Sequence, residues 1–143
     1  MGAAKSPGTP RKKAAIAGPS KQPVVRETPS ELEKLNKLQA IIVGSLEDDK
    51  AEDIVVIDMI GRASFTDRMV IATGLADRQI SAMATHLDQK LSEAGYRRIQ
   101  IEGEGSEWVL IDVGDVIVHL FKAEARFAYG LEKMWGPELD DAG

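Results

Sequence analysis

Apolar positions recur along this chain with two periods. Leu35, Leu38, Ile42 and Leu46 fall at the three- and four-residue spacing of one helix stripe. Just before them, in Pro29-Ser30-Glu31-Leu32-Glu33, Ser30 is placed to cap and Glu33 to complete a capping box, so a helix should run to about Asp48. Ile80, Met83, Leu87 and Leu91 form a second stripe, predicting a helix over 78–94 with Asp77 at its start and Gly95 at its stop. A third stripe, Phe127, Leu131 and Met134 or Trp135, predicts a closing helix over 124–135, ended by Gly136-Pro137.

Between these stripes the apolar residues run together in short β-branched blocks bounded by Gly and Asp. Residues 54–58, 69–72, 99–101, 108–111 and 116–120 are such blocks and predict five strands. The last two are nearly all apolar, which suits strands covered on both faces, and Asp112-Val113-Gly114-Asp115 links them as a hairpin. The order helix, two strands, helix, three strands, helix predicts an α/β domain with a mixed five-stranded sheet flanked by helices.

Composition adds boundaries. Pro7, Pro10, Pro19, Pro23 and Pro29, with Gly2, Gly8 and Gly18 between them, mark residues 1–29 as a disordered basic tail. A transit peptide would also be basic and poor in acid, but the prolines break the amphipathic helix it needs. A domain is then expected over 30–136, with an acidic C-terminal tail over 137–143. Residues 1–30 hold six Lys or Arg and one acid, whereas the remainder holds twelve basic and twenty-two acidic side chains. An acidic domain does not resemble a DNA-binding fold and prefers a basic partner. The chain has no cysteine, which removes thiol nucleophiles, zinc–thiolate sites and disulfides. No apolar run approaches a membrane span, and no signal-peptide core follows Met1.

The hairpin concentrates the candidate chemistry. Glu102, Glu104, Glu107, Asp112 and Asp115 fringe it, and Trp108 stands at the mouth of its first strand. Asp112 and Asp115 could hold a divalent metal only if further carboxylates converged on them, and the two straddle a turn, where Asp and Gly are ordinary hairpin residues. His119, among apolar neighbours, is expected to be a hydrogen-bonded structural residue, and His86 to lie near the surface of its helix. Neither supports a hydrolase triad. Gly103-Glu104-Gly105-Ser106 precedes a strand rather than a helix and carries acids, both wrong for a phosphate loop. Thr73-Gly74 with Arg78 at a helix start suits an anion better, although capping explains those residues equally well. Trp108 is either a core strand residue or an exposed anchor ringed by acid.

Between Leu38 and Trp135 the chain resembles the bacterial ribosomal silencing factor family, RsfS or Iojap. The resemblance rests on Asp53-Ile54-Val55-Val56-Ile57-Asp58, Ser64-Phe65-Thr66-Asp67, Ala72-Thr73-Gly74 and Glu102-Gly103-Glu104. It rests above all on the run from Trp108 to His119, with Asp112-Val113-Gly114-Asp115-Val116-Ile117-Val118-His119 at its centre, and on Glu132-Lys133-Met134-Trp135, where Met134 replaces the family's Leu. It implies a nucleotidyltransferase-like fold without a catalytic site, no enzyme activity, no cofactor and no metal. It further implies a cytoplasmic protein, homodimeric when free, that binds the large ribosomal subunit through ribosomal protein fourteen. There it blocks joining of the small subunit and represses translation when nutrients fall. On this expectation Trp108 anchors the interface, and Glu102, Glu104, Asp112 and Asp115 form its acidic surround. The alternative, a metal-dependent nucleotidyltransferase, needs a Gly-Ser motif followed by an Asp-hydrophobic-Asp pair on a strand. Gly105-Ser106 is present, but Asp112 and Asp115 have the wrong spacing.

Overall fold

The structure is a computed structural model and describes residues 28–130. Helix α1 spans Pro29–Asp48 and buries Leu35, Leu38, Ile42 and Leu46, the stripe read from the sequence. Its cap lies two residues earlier than expected. Thr28, not Ser30, accepts from the Glu31 amide at 3.1 Å, and the Glu31 carboxylate accepts from the Thr28 amide at 3.0 Å. Pro29 explains the shift: it lacks an amide hydrogen and has a helix-like φ, so it is favoured as the first helical residue, and Thr28-x-x-Glu31 supplies the box around it.

Strands β1 (Glu52–Asp58) and β2 (Arg68–Gly74) form an antiparallel pair, followed by helix α2 (Asp77–Glu93). Asp77 is not the cap of α2. That place falls to Ala76, which makes no side-chain bond, while Asp77 pairs with Lys122 at 3.3 Å. The Gln79 carboxamide does the local work instead, accepting from the Leu75 amide at 2.8 Å and donating to the carbonyls of Asp49 and Lys50 at 3.1 Å. The Lys90–Asp48 ion pair and the His86 Nδ1–Asp49 Oδ2 hydrogen bond, both 2.8 Å, complete the seam between α1 and α2.

Strands β3 (Gln100–Glu102), β4 (Trp108–Asp112) and β5 (Val116–Lys122) finish a five-stranded sheet of order β1-β2-β5-β4-β3. Only β2 and β5 run parallel; the other pairs are antiparallel, so the sheet is mixed as expected. Alternation sends Val70, Ala72, Val109, Ile111, Val116, Val118 and Leu120 to one face, under α1 and α2. Met69, Ile71, Trp108 and Phe121 point to the other, with Ile57, Met59, Ala63 and Ala125.

Gly74 sits directly against the apolar stripe of α2. A Cβ there would lie 2.6 Å from Ile80 Cγ1 and 2.9 Å from Met83 Cε, inside the α2 stripe. Gly74→Ala should therefore overpack this seam and cost about 1–3 kcal/mol, seen as a lower urea midpoint with an unchanged slope.

Helix α3 spans Ala123–Tyr129 and stops earlier than the stripe predicts. Gly130 adopts a left-handed φ of 63° and its amide returns to the Arg126 carbonyl, a glycine stop that breaks the period. Phe127 is 82% exposed rather than part of a core stripe. The rest of that stripe, Leu131, Met134 and Trp135, lies outside the described residues, as do residues 1–27 and the acidic tail.

Candidate functional site

The face of the sheet opposite α1 and α2 carries most of the predicted site. Register arranges it in rows across β2, β5 and β4: Thr73–Phe121–Trp108, then Ile71–His119–Leu110, then Met69–Ile117–Asp112. On β3, Glu102 extends the second row and Gln100 the third.

Trp108 is 3% exposed, so the expectation of an exposed anchor is corrected. Its ring stacks on Phe121 at a centroid distance of 5.2 Å, and its Nε1–H donates to Nδ1 of His119, one row away, at 2.9 Å. An indole nitrogen only donates, so Nδ1 is the acceptor and the His119 proton in the neutral ring sits on Nε2. The structural role expected of His119 is what the geometry shows. Burying an indole requires a partner for its N–H, and the cross-strand diagonal supplies it. His86, by contrast, lies half-exposed on α2.

The acids do not encircle Trp108. Asp112 is four residues along β4 from Trp108, a separation of about 13 Å at the usual strand rise. Asp112 is 6% exposed and its Oδ1 accepts from the Gly114 amide at 2.8 Å, shaping the hairpin turn. Glu102 is half-buried, whereas Glu104 and Asp115 are exposed. The Gly103–Ser106 loop closes on itself, the Ser106 hydroxyl donating to the Gly103 carbonyl at 2.6 Å. Thr73 accepts from Arg126 at 2.7 Å, which ties α3 to the sheet.

A tighter acidic group gathers at the hairpin turn from three distant parts of the chain. The Asp115 carbonyl accepts from the Thr66 hydroxyl at 2.9 Å and from the amides of Asp67 and Arg68 at 3.0 and 3.1 Å. This locks the turn against the β1–β2 loop and holds the Asp115 carboxylate near Asp67, with Glu31 of α1 also in range. Partial burial first, then Asp67 and Glu31, push the Asp115 carboxyl above its ordinary value. Arg68, the neighbouring cation, donates instead to the neutral side chains of Asn36 and Gln39. Among the described residues, no ion pair involves Asp67 or Asp115.

The sign of that shift gives a test. A carboxyl whose native pKa is raised destabilises the fold when ionised, and the penalty fades as pH falls through the native value toward 3.8. Asp115→Asn should thus melt above the parent at neutral pH, and the gap should close in acid. Scanning calorimetry across that range checks it.

Among the described residues, no three His, Asp or Glu side chains come together as a metal site, and no helix is long and apolar enough to cross a membrane. What the geometry defines is a small α/β domain with an acidic strand end and a braced hairpin. Comparison with known proteins places it more closely. The family model described as ribosomal silencing factor during starvation matches residues 32–142. A ribosomal silencing factor RsfS of Zymomonas mobilis is 44% identical over 69% of this chain and 75% of its own length. A crystal structure of a Chromobacterium violaceum protein, 40% identical, superposes with a TM-score of 0.68 over 71% of this chain and 85% of that one. More distantly, a mouse protein named mitochondrial assembly of ribosomal large subunit protein 1 is 32% identical over 66% of this chain and 43% of its own length. The chain belongs to the RsfS family of ribosomal silencing factors, a regulatory family associated with the ribosome.

Proposed function

We propose that this protein binds the large ribosomal subunit through ribosomal protein fourteen and stands where the small subunit would dock, so that subunits fail to join and translation is repressed when nutrients are short. It acts in the cytoplasm, without cofactor or catalysis, and is homodimeric when free. The observation that carries the docking surface is Asp115. The turn that carries it is braced through the Asp115 carbonyl by Thr66, Asp67 and Arg68, and partial burial first, then Asp67 and Glu31, raise its carboxyl above the ordinary value, so a nearby cation would favour its ionised form. The exposed Glu104 and the half-buried Glu102 extend the acidic contact along the hairpin, while Asp112, buried and bonded to the Gly114 amide, and Trp108 fix that hairpin from within rather than touching the partner. The mouse relative's name, which mentions the large subunit, agrees with the choice of subunit.

A nucleotidyltransferase reading finds no support in the same residues. Asp112 is tied to the Gly114 amide, and the Ser106 hydroxyl is used inside its own loop. The test is co-sedimentation with purified large subunits, followed by subunit joining in a sucrose gradient. The protein should pellet with large subunits and lower the joined peak in proportion to occupancy. Free passage of subunits into joined ribosomes at saturating protein would overturn the proposal.

A further inference from the structure

Two arginines stand side by side on an otherwise acidic domain. Arg97 and Arg98 are the one adjacent pair of cations between residues 28 and 130, and no acid lies between Glu93 and Glu102. Both are exposed, and among the described residues neither takes part in an ion pair. The usual reason for cations after a helix, its partial negative charge, does not reach them. Lys90 fills that role in the last turn of α2, and the helix field fades within a turn. Arg97 and Arg98 follow the end of α2 at Glu93 and the turn at Gly95, whose φ is 101°. The connection that carries them is held at both ends. The Tyr96 amide donates to the Leu91 carbonyl at 3.0 Å, and Tyr96 and Ile99 pack against the core under α1 and α2. Sheet register fixes where the pair stands. Gln100 lies opposite Asp112 on an antiparallel strand, so Arg98, two residues earlier and within about 7 Å, falls on the turn side of Asp112. Val113 of that turn packs against the same core as Ile99. The arginines therefore edge the sheet end that carries Asp67 and Asp115, and β3 lies two strands from β5, about 10 Å.

We propose that Arg97 and Arg98 contact the phosphodiester backbone of large-subunit RNA, beside the basic protein that the acidic turn meets. This rests on the docking reading given above. A basic ribosomal protein lies against RNA phosphates, so an acidic turn brought to it has phosphates for neighbours. A wholly acidic sheet end would be repelled by them. Two guanidiniums at its edge turn that repulsion into attraction, and each matches a phosphate with paired N–H donors. Such contacts set orientation without reading base sequence. The domain then meets the subunit with two signs of charge, acid toward protein and arginine toward RNA. That pairing fixes how it sits more firmly than either charge alone.

The test uses the full-length protein, purified large subunits and isolated ribosomal protein fourteen. The double variant Arg97→Gln, Arg98→Gln should bind large subunits several-fold more weakly at low salt. Its slope of log affinity against log salt should be shallower by about 1 per arginine. Its affinity for the isolated ribosomal protein should be unchanged. Arg97→Lys, Arg98→Lys keeps the charges and should keep most of the slope. An unchanged slope in the glutamine variant would overturn the proposal. So would an equal loss of affinity for the isolated protein, which would give the arginines to a protein partner. A second measurement looks for the RNA directly. The chain has no cysteine, so Gln100→Cys at an exposed position gives a single attachment point for an iron chelate. Hydroxyl radicals released there should cut large-subunit RNA at a discrete place, and the lack of any cut would equally sink the idea. The reading of the acidic turn fails separately. A parent protein that binds subunits but ignores the isolated ribosomal protein would remove that reading, while the arginine slope would still decide this one.

Discussion

Trp108→Ala should lower the unfolding free energy by about 3–5 kcal/mol, the usual cost of deleting a large aromatic from a core. Two losses combine. The ring stacked on Phe121 leaves a cavity beside fully buried neighbours, and His119 loses the donor to its Nδ1. A buried acceptor left without its donor costs about 1–3 kcal/mol on its own. Trp108→Phe keeps an aromatic beside Phe121 but loses the N–H and part of the ring volume, so it should cost less than Trp108→Ala. Urea unfolding of both variants checks the order. Binding to large subunits should decline only in step with the folded fraction. A Trp108→Ala variant as stable as the parent, yet unable to bind, would restore Trp108 as a surface anchor.

That outcome differs from what the sequence suggests, and the reason is physical. Period tells which residues share a strand face but not which face meets solvent. Both faces of β4 and β5 are apolar, so Trp108 had no polar alternation to declare its side. The fold itself was legible because its signals are local: stripes at helical spacing, β-branched blocks, and Gly or Asp breaks gave every described helix and strand in order. Errors fell where two local signals competed. Thr28-x-x-Glu31 and Ser30-x-x-Glu33 are equally good boxes until Pro29 is weighed, and Gly130 lies inside a stripe whose apolar spacing runs on past it in the sequence.

The acidic site was half legible for a different reason. Asp112 and Asp115 are visible as a charged turn, but their companions come from elsewhere. Asp67 reaches Asp115 only because Thr66, Asp67 and Arg68 bond to the Asp115 carbonyl across forty-nine residues of chain in the case of Thr66. Glu31 joins only because α1 crosses that end of the sheet, with Arg68 bridging to Asn36 and Gln39. No spacing in the sequence announces such a group. It is a product of topology, specifically of β2 lying beside β5 in parallel register from Arg68↔Val116 onward.

This group carries the largest expected effect on binding. The double variant Asp67→Lys, Asp115→Lys should weaken association with large subunits by about tenfold to a hundredfold, or about 1.4–2.8 kcal/mol. On the proposed docking to a basic partner, reversal removes two attractive charges and adds two repulsive ones, so the loss should appear mainly in the association rate. Raising salt from low to physiological ionic strength should slow the parent steeply and the variant little, because the screened interaction is the one removed. Stability should hold, since the Asp115 contacts that fix the turn are made by its backbone carbonyl and the like-charge repulsion with Glu31 is relieved. Circular dichroism and thermal melts supply that control. Glu104→Lys, on the exposed loop at the other end of β4, gives a comparison in the same assay and should change the rate less than the double variant. A folded double variant that associates as fast as the parent, with the same salt dependence, would move the docking surface away from the strand end and onto another part of the domain.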